Sequence, residues 1–179
     1  MDAAIRAATL DLLREAGYAS LTIDAVAARA GATRPTVYRR WPGKVELVID
    51  ALGHAVPPTP PPDTGNTRAD LLALLRGITE RLVGSGLAPV VLAVHAEAIL
   101  RPELFEPLHA LYLRPRANSV RVVVERGIVR GDLPNTLSLD VARDLVLGTL
   151  FYRGLYTGGV TDADIAELGA AVWSALKAQ

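Results

Sequence analysis

The sequence contains no cysteine, only three histidines and no long uninterrupted apolar run. Without thiols the chain can form neither disulfides nor thiolate metal sites, which fits a reducing compartment. The histidines His54, His95 and His109 are scattered, without the spacing of a metal-binding motif, so we expect no metal site. A proline, a histidine and a glutamate interrupt the longest apolar stretch, residues 87–100, which is too short to span a bilayer. We therefore expect a soluble, cytoplasmic protein with no membrane partner.

Residue patterns typical of enzymes are also missing. We find no acid–base constellation, and Gly84-Ser85-Gly86 lacks the preceding strand and the spacing of a nucleophile elbow. We expect no enzymatic activity and no cofactor. No strand alternation of useful length appears either, although half of the residues are hydrophobic and can form a core.

The charges of the chain balance but are unevenly placed. Nineteen Lys and Arg residues stand against nineteen Asp and Glu residues, yet residues 33–44 carry four positive side chains and no negative one. Threonine and tyrosine hydroxyls beside them can donate to phosphate, so this basic segment (residues 33–44) is typical of a surface that binds a polyanion. A short apolar-periodic helix over 21–31 precedes it and ends at a glycine-containing turn. Two short helices joined in this way predict a helix-turn-helix unit.

Apolar periodicity predicts helices along nearly the whole chain. Thr22 and Thr33 are expected to cap the second and third helices, and a fourth helix starts near Lys44. The proline-rich stretch at 57–63 cannot continue a helix and predicts a stiff spacer. Longer apolar helices follow it. The predicted ranges are 68–83, 87–100, 103–126, which prolines kink or split, and then 139–156 and 161–178, joined through Gly158-Gly159.

An ordered set of motifs fills the first quarter of the chain. They are Ile5-x-x-Ala8, Leu12-Leu13, Gly17-Tyr18, Leu21-Thr22, residues 26–31, Thr36-Val37-Tyr38 and Trp41-Pro42-Gly43-Lys44. Together they resemble the TetR family, the tetracycline-repressor-like transcriptional regulators. The family often has Phe where Trp41 stands and His where Arg40 stands, and both differences keep the size or the donor character. A looser similarity to the C-terminal domains of the family runs through residues 130–133 and 151–153.

Arg34 is the best candidate for reading a base, because a guanidinium can bond O6 and N7 of guanine together. Tyr38, Arg40 and Lys44 are assigned to phosphate, Lys44 at a helix N-terminus whose dipole favours an anion. Any one of these arginines taken alone is better explained as a solvated surface charge, and only the cluster favours DNA. Trp41 is expected in the core, where it locks the third helix to the fourth. The candidate DNA-binding residues are Thr22, Thr33, Arg34, Thr36, Tyr38, Arg39, Arg40 and Lys44.

Apolar residues with a few polar groups among them suggest a small-molecule pocket in the distal helices. Plain core is the better explanation for any one of them, and His95 is more typical of a hydrogen-bonded core histidine than of a ligand contact. The candidate ligand-binding residues are Ile78, Leu82, Leu92, His95, Ile99, Phe105, Leu108, Tyr112, Phe151 and Tyr152.

The last two helices carry more apolar surface than one helix pair can bury, and small residues permit close helix approach. Paired with a two-fold copy they would form a four-helix bundle, as the resemblance also implies. The candidate dimer-interface residues are Leu145, Gly148, Tyr152, Ile165, Leu168, Gly169, Val172 and Leu176.

These features predict an all-α protein with three parts. They are a helix-turn-helix DNA-binding domain with a connecting fourth helix at 1–56, a Pro-rich linker at 57–67, and a helical ligand-binding and dimerisation domain at 68–179. The resemblance implies a repressor that binds a palindromic double-stranded DNA operator as a homodimer and is released by a small hydrophobic effector. Two alternatives stay open. One is an activator or ligand-independent regulator, and the other is a small-molecule-binding protein without operator binding.

Overall fold

Helices are the regular elements of the computed structural model, which describes residues 1–156 and 160–178, with 154–156 as backbone alone. No strand occurs in these ranges, so the all-α prediction is confirmed. The predicted connection at Gly158-Gly159 lies outside the described residues. The elements are α1 (Asp2–Ser20), α2 (Ile23–Arg29), α3 (Arg34–Tyr38), α4 (Lys44–Ala55), α5 (Thr67–Gly84), α6 (Ala88–Leu100), α7 (Pro102–Leu108), a π-helical turn (His109–Leu113), α8 (Arg114–Arg130), α9 (Leu139–Tyr156) and α10 (Asp162–Lys177).

The helices fall into two compact units. The first unit comprises Met1–Pro57 and Gly86–Arg114, and the second comprises Pro58–Ser85 and Pro115–Gln179. The predicted domain bounds of 1–56, 57–67 and 68–179 follow the chain, whereas compactness groups α6, α7 and the π-helical turn with the N-terminal helices. Those domain bounds stay a prediction.

Threonine caps start the two short helices of the first unit. Oγ1 of Thr22 accepts a hydrogen bond from the backbone N–H of Ala25 at 3.2 Å, and Oγ1 of Thr33 accepts one from Thr36 N–H at 3.4 Å. Gly31 turns the chain between α2 and α3 with φ at 62°, a left-handed conformation that glycine adopts without a Cβ clash. Both predicted caps are therefore confirmed.

α1 breaks near its end at Gly17, where φ is 74° and ψ is 176°. A glycine near a helix end is typical of a left-handed cap, and the positive φ agrees with that conformation. The extended ψ does not, because a left-handed helical residue has ψ near 50°. Gly17 therefore redirects the chain, and a last turn follows that carries the buried Tyr18.

Prolines interrupt the helical stretch that the sequence predicts over 103–126. Pro107 lies inside α7 and lacks the N–H that would continue the hydrogen-bond ladder. The π-helical turn follows directly, and Pro115 stands in the first turn of α8, where a missing donor costs little. The predicted effect of these prolines takes the form of an interrupted α-helical hydrogen-bond pattern, because the backbone stays helical from 102 to 130 through the π-helical turn.

α5, α8, α9 and α10 build the core of the second unit. Its fully buried members include Leu74, Leu75, Val124 and Leu176. The proline-rich stretch is held against this unit, because Ser119 Oγ donates to the carbonyl oxygen of Thr59 at 2.6 Å and Arg126 Nη1 donates to that of Pro62 at 3.2 Å. Hydrogen bonds from side chains of α8 to backbone carbonyls therefore hold the proline-rich stretch along that helix.

A buried carboxylate anchors the residues that follow the prolines. Asp70 is fully buried on α5 and accepts hydrogen bonds from the N–H and the hydroxyl of Thr64 at 2.9 and 2.7 Å. Arg130 Nη2 on α8 completes the site at 3.3 Å. Because a buried charge is tolerated only when it is paired and hydrogen-bonded, this site fixes the loop before α5 to α8.

Half of the predicted dimer-interface residues face the core of the second unit. Ile165, Val172 and Leu176 are buried in it, and a Cβ at Gly169 would meet the side chain of Leu72 on α5. A side chain enclosed by its own protomer has no surface to offer a partner, so the interface assignment of these residues is corrected. The remaining candidates keep exposed or partly exposed surface; they are Leu145, Gly148, Tyr152 and Leu168.

Among the described residues, no single helix is long and apolar enough to cross a membrane. Only α5 and α6 taken together, across the break between them, reach the required length and composition.

Replacing either of two helical glycines with alanine should change the stability, in opposite directions. A Cβ at Gly127 would lie 2.5 Å from Cγ2 of the buried Thr67, so Gly127→Ala should destabilise the protein by about 1–3 kcal/mol through overpacking. A Cβ at Gly53 meets nothing within 4 Å, so Gly53→Ala should stabilise it by about 0.5–1 kcal/mol through helix propensity. Denaturant melts of both variants measure the difference, and equal shifts would show that Gly127 is not tightly packed.

Candidate nucleic-acid interface

The basic segment presents its polar side chains outward. Val37 is 0% exposed and holds α3 to the core, whereas Arg34, Tyr38 and Arg39 on the same helix and its end are exposed. The alternation follows from helical geometry, because a five-residue helix with one buried position turns its other side chains to solvent. The predicted DNA-binding residues therefore all lie at the surface or partly exposed, and they surround one short helix and its flanking turns.

Arg34 is held from two sides. Its Nε lies 2.8 Å from Oδ1 of Asp24 on α2, and its guanidinium carbon lies 5.9 Å from the ring centroid of Tyr38. A hydrogen bond to Tyr38, and secondly the charge of Asp24, raise the pKa of Arg34 above its usual value. The guanidinium thus stays charged and is oriented at the exposed surface.

The threonines of the segment serve the backbone as well as the surface. Thr22 and Thr33 cap their helices, and the hydroxyls of Thr33 and Thr36 share a hydrogen bond of 2.9 Å. These contacts fix the first turns of α2 and α3, whose N–H groups point outward with the positive end of the helix dipole. Thr22 and Thr33 remain exposed and can also meet a phosphate oxygen.

Arg40 and Lys44 differ in how firmly they are engaged. Arg40 is exposed and only loosely paired, with 3.5 Å between its Nη1 and Oδ2 of Asp2. Lys44 Nζ donates to the carbonyl oxygen of Ala19 at 3.2 Å and lies 4.2 Å from the ring centroid of Tyr18. Burial, followed by the charge of Arg101, lowers the pKa of Lys44. Lys44 therefore joins the start of α4 to the end of α1, a contact that the sequence did not predict.

Trp41 lies in the core of the first unit, as predicted, and the structure adds its partners. Its side chain is buried, and Nε1 donates to Oδ2 of Asp50 on α4 at 2.9 Å. Arg6 on α1 donates to the same oxygen at 2.7 Å, with its guanidinium carbon 5.6 Å from the indole ring. This network joins α1, the end of the basic segment and α4. Arg6 and Asp50 stand far apart in the chain with no motif between them, so sequence reasoning missed both.

The ten predicted ligand-binding residues divide between the units. Leu92, His95, Ile99, Phe105, Leu108 and Tyr112 belong to the first unit, and Ile78, Leu82, Phe151 and Tyr152 belong to the second. Ile99, Phe105 and Tyr152 are 77%, 45% and 64% exposed in the protomer, and their assignment to an apolar ligand pocket stays a prediction. Leu108 and Tyr112 are buried.

His95 has the surroundings of a core histidine. Its Nδ1 lies 2.6 Å from the carbonyl oxygen of Val91, one turn earlier on α6. Its ring meets that of Tyr112 edge-on, with 5.7 Å between centroids. Both contacts belong to the first unit, and they agree with the interpretation of His95 as a hydrogen-bonded core residue.

Comparison with known proteins agrees with this architecture. Residues 5–51 match the family model of bacterial regulatory proteins of the tetR family, and residues 61–172 match that of the tetracyclin repressor-like C-terminal domain. An uncharacterized HTH-type transcriptional regulator of Mycobacterium bovis, Mb1581, is 39% identical over 83% of this chain and 73% of its own. The DNA-binding transcriptional repressor TetR of Mycobacteroides abscessus is 30% identical over 93% of this chain and 88% of its own.

A solved structure of similar fold is that of the TetR family transcription regulator SCO0332. It is 26% identical, has a TM-score of 0.74 and covers 96% of each chain. Two family models thus account for both the helix-turn-helix segment and the distal helices, in the order that the sequence motifs predict. The chain belongs to the TetR family of DNA-binding transcriptional regulators, whose members are not enzymes.

Proposed function

We propose that this regulator is a repressor that binds a palindromic operator as a homodimer through α3 and is released by a small hydrophobic molecule. One observation carries the proposal: α3 and its flanking turns expose Arg34, Arg39 and Arg40 around a single buried anchor, Val37. A short helix with outward cations and a rigid base is suited to the major groove.

Within this proposal the exposed residues divide into two roles. Arg34 reads a guanine, because its two terminal amino groups can reach O6 and N7 together. The Thr36 methyl and hydroxyl meet a thymine methyl or a phosphate. Tyr38, Arg40 and Lys44 bind phosphate, and Thr22 lies at the start of α2, where backbone N–H groups favour an anion.

An exposed apolar stripe on α9 supports the homodimer. Val141, Leu145, Gly148 and Tyr152 repeat at helical spacing along one face, and Val141 and Tyr152 are large side chains exposed to solvent. Nothing lies within 4 Å of a Cβ built at Gly148, so a partner helix has space to approach there. A two-fold axis along this stripe would give the dimer two copies of α3, matching the two halves of a palindrome.

The effector in this proposal is a largely apolar molecule with one or two polar groups. Leu92 in the first unit is partly exposed, and Tyr112 of the same unit brings a buried phenol. To release DNA, the effector must bind the DNA-free arrangement better than the DNA-bound one. By reciprocity, operator DNA must weaken effector binding by the same factor.

Salt dependence tests whether the basic segment binds phosphate. Arg40→Ala should weaken binding to all duplexes alike and lower the slope of log affinity against log salt by about one unit. Fluorescence anisotropy with a labelled duplex over a range of salt concentrations measures both. Arg14→Ala is the matched control, because Arg14 is an exposed arginine on α1 with an aspartate partner at 3.0 Å and lies outside the segment. Equal slopes for the two variants would remove Arg40 from the interface.

A further inference from the structure

An acidic residue stands at the surface that the proposed function assigns to DNA. Asp24 lies in the first turn of α2, and its side chain is 60% exposed. A carboxylate beside a polyanion opposes binding to every DNA sequence, since like charges repel. Near the basic segment, this charge therefore weakens the phosphate attraction that the arginines supply.

The contact made by Asp24 shows what this charge does in return. Its Oδ1 lies 2.8 Å from Nε of Arg34, and the guanidinium carbon of Arg34 lies 5.9 Å from the ring centroid of Tyr38. Nε is the one guanidinium nitrogen set back from the tip. The contact with Asp24 does not use the two terminal amino groups, and these are the pair that bridges O6 and N7 of guanine.

We propose that Asp24 is a positioning residue that determines operator specificity by holding Arg34 for a guanine. The inference rests on the proposed role of Arg34 in reading a base. An arginine without this partner has a long flexible side chain that can turn to the nearest phosphate, a contact that every sequence offers. Asp24 opposes that turn by attraction to Nε and lowers the affinity for phosphate by its charge. Sequence specificity increases when the alternative contact of Arg34 with a phosphate is made less favourable.

The test compares Asp24→Ala and Asp24→Asn with a matched control, Asp2→Ala. Asp2 also lies in the first turn of a helix and pairs with an arginine of the basic segment, Arg40, at 3.5 Å. The probes are a duplex that the wild type selects from a random-sequence pool, its single-base-pair variants, and a scrambled duplex. Arg34→Ala first identifies the base pair at which preference is lost.

We expect Asp24→Ala to bind the scrambled duplex more tightly than wild type and to lose roughly fivefold or more of its preference at the base pair that depends on Arg34. Asp24→Asn should bind the scrambled duplex as tightly as Asp24→Ala does, because it lacks the same negative charge. It should keep part of the preference at the base pair, because its amide oxygen still accepts from Nε of Arg34. Asp2→Ala should strengthen binding to all duplexes and leave the preference unchanged. In an Arg34→Ala background, Asp24→Ala should change the preference no further.

The outcomes separate this inference from the function on which it rests. If Arg34→Ala shifts one base pair and Asp24→Ala does not, Asp24 is no positioning residue while the base-reading role of Arg34 stands. Should Arg34→Ala shift no base pair, both fail. A merely structural role for Asp24 would lower affinity for all duplexes in proportion, and thermal melting monitored by circular dichroism would show a matching loss of stability; that result also overturns the inference.

Discussion

Asp50→Ala is expected to destabilise the first unit by about 2–4 kcal/mol and to lower DNA affinity in step with the loss of folded protein. The carboxylate accepts from the indole N–H of Trp41 and from Arg6, both at hydrogen-bond distance, on a side chain that is 28% exposed. Its removal leaves a buried indole donor without this acceptor and a partly buried guanidinium without this counter-charge. Because Trp41 lies in the basic segment just after α3 and Asp50 lies on α4, the orientation of α3 should become less fixed as well. Denaturant unfolding, followed by the fluorescence of the tryptophans, measures the change.

Two further variants locate the cause. Trp41→Phe removes the indole donor and part of a buried ring while Arg6 keeps its partner, so its cost combines one lost hydrogen bond with a small cavity. Asp11→Ala removes an exposed aspartate that pairs with Arg14 within α1, and it should change stability by under about 1 kcal/mol. If Asp50→Ala were as mild as Asp11→Ala, the network would not hold the helices together.

Gly148→Leu is expected to turn the dimer into monomers and to lower operator affinity by at least about a hundredfold. The leucine fills the space on α9 where a partner helix would approach, and overpacking keeps the two apolar stripes apart. One protomer presents one copy of α3 and about half of the phosphate contacts, so binding to a palindrome suffers most. Light scattering at micromolar concentration measures the assembly, and anisotropy with the selected duplex measures the affinity.

Gly53→Leu is the matched control for this prediction. Gly53 is also a helical glycine, a Cβ built there would meet nothing within 4 Å, and it lies on α4, away from the apolar stripe. Its replacement should leave the dimer intact. A wild type that scattered as a monomer at the same concentration would remove the homodimer from the proposal.

Local signals made much of the fold predictable. Thr22 and Thr33 predict helix starts because a threonine side-chain oxygen can accept a hydrogen bond from the backbone N–H three residues later. The structure contains both of these hydrogen bonds. Pro107 and Pro115 predict an interrupted α-helix because proline lacks the backbone N–H that the helix uses as a donor. The π-helical turn between them was not predictable in kind, since it depends on how the neighbouring helices pack.

Contacts between residues far apart in the chain could not be predicted from the sequence. Apolar periodicity gives α10 a buried face, but it does not say whether that face meets α5 or a second protomer, and the structure places Val172 and Leu176 in the protomer's own core. For the same reason the exposure of Ile99 could not be anticipated within an apolar helix. The pairs Asp50–Arg6 and Asp24–Arg34 join separate helices, so no spacing rule reveals them.

The proposed DNA-binding surface of this regulator lies within residues 22–44. Amide hydrogen exchange of the whole protein, with and without the duplex selected from a random pool, tests it most directly because it reports contacts along the entire chain. We expect slower exchange on adding the duplex in the first turns of α2, α3 and α4, with the scrambled duplex giving a weaker effect at the same salt concentration. Protection in other segments, with unchanged exchange across 22–44, would contradict it.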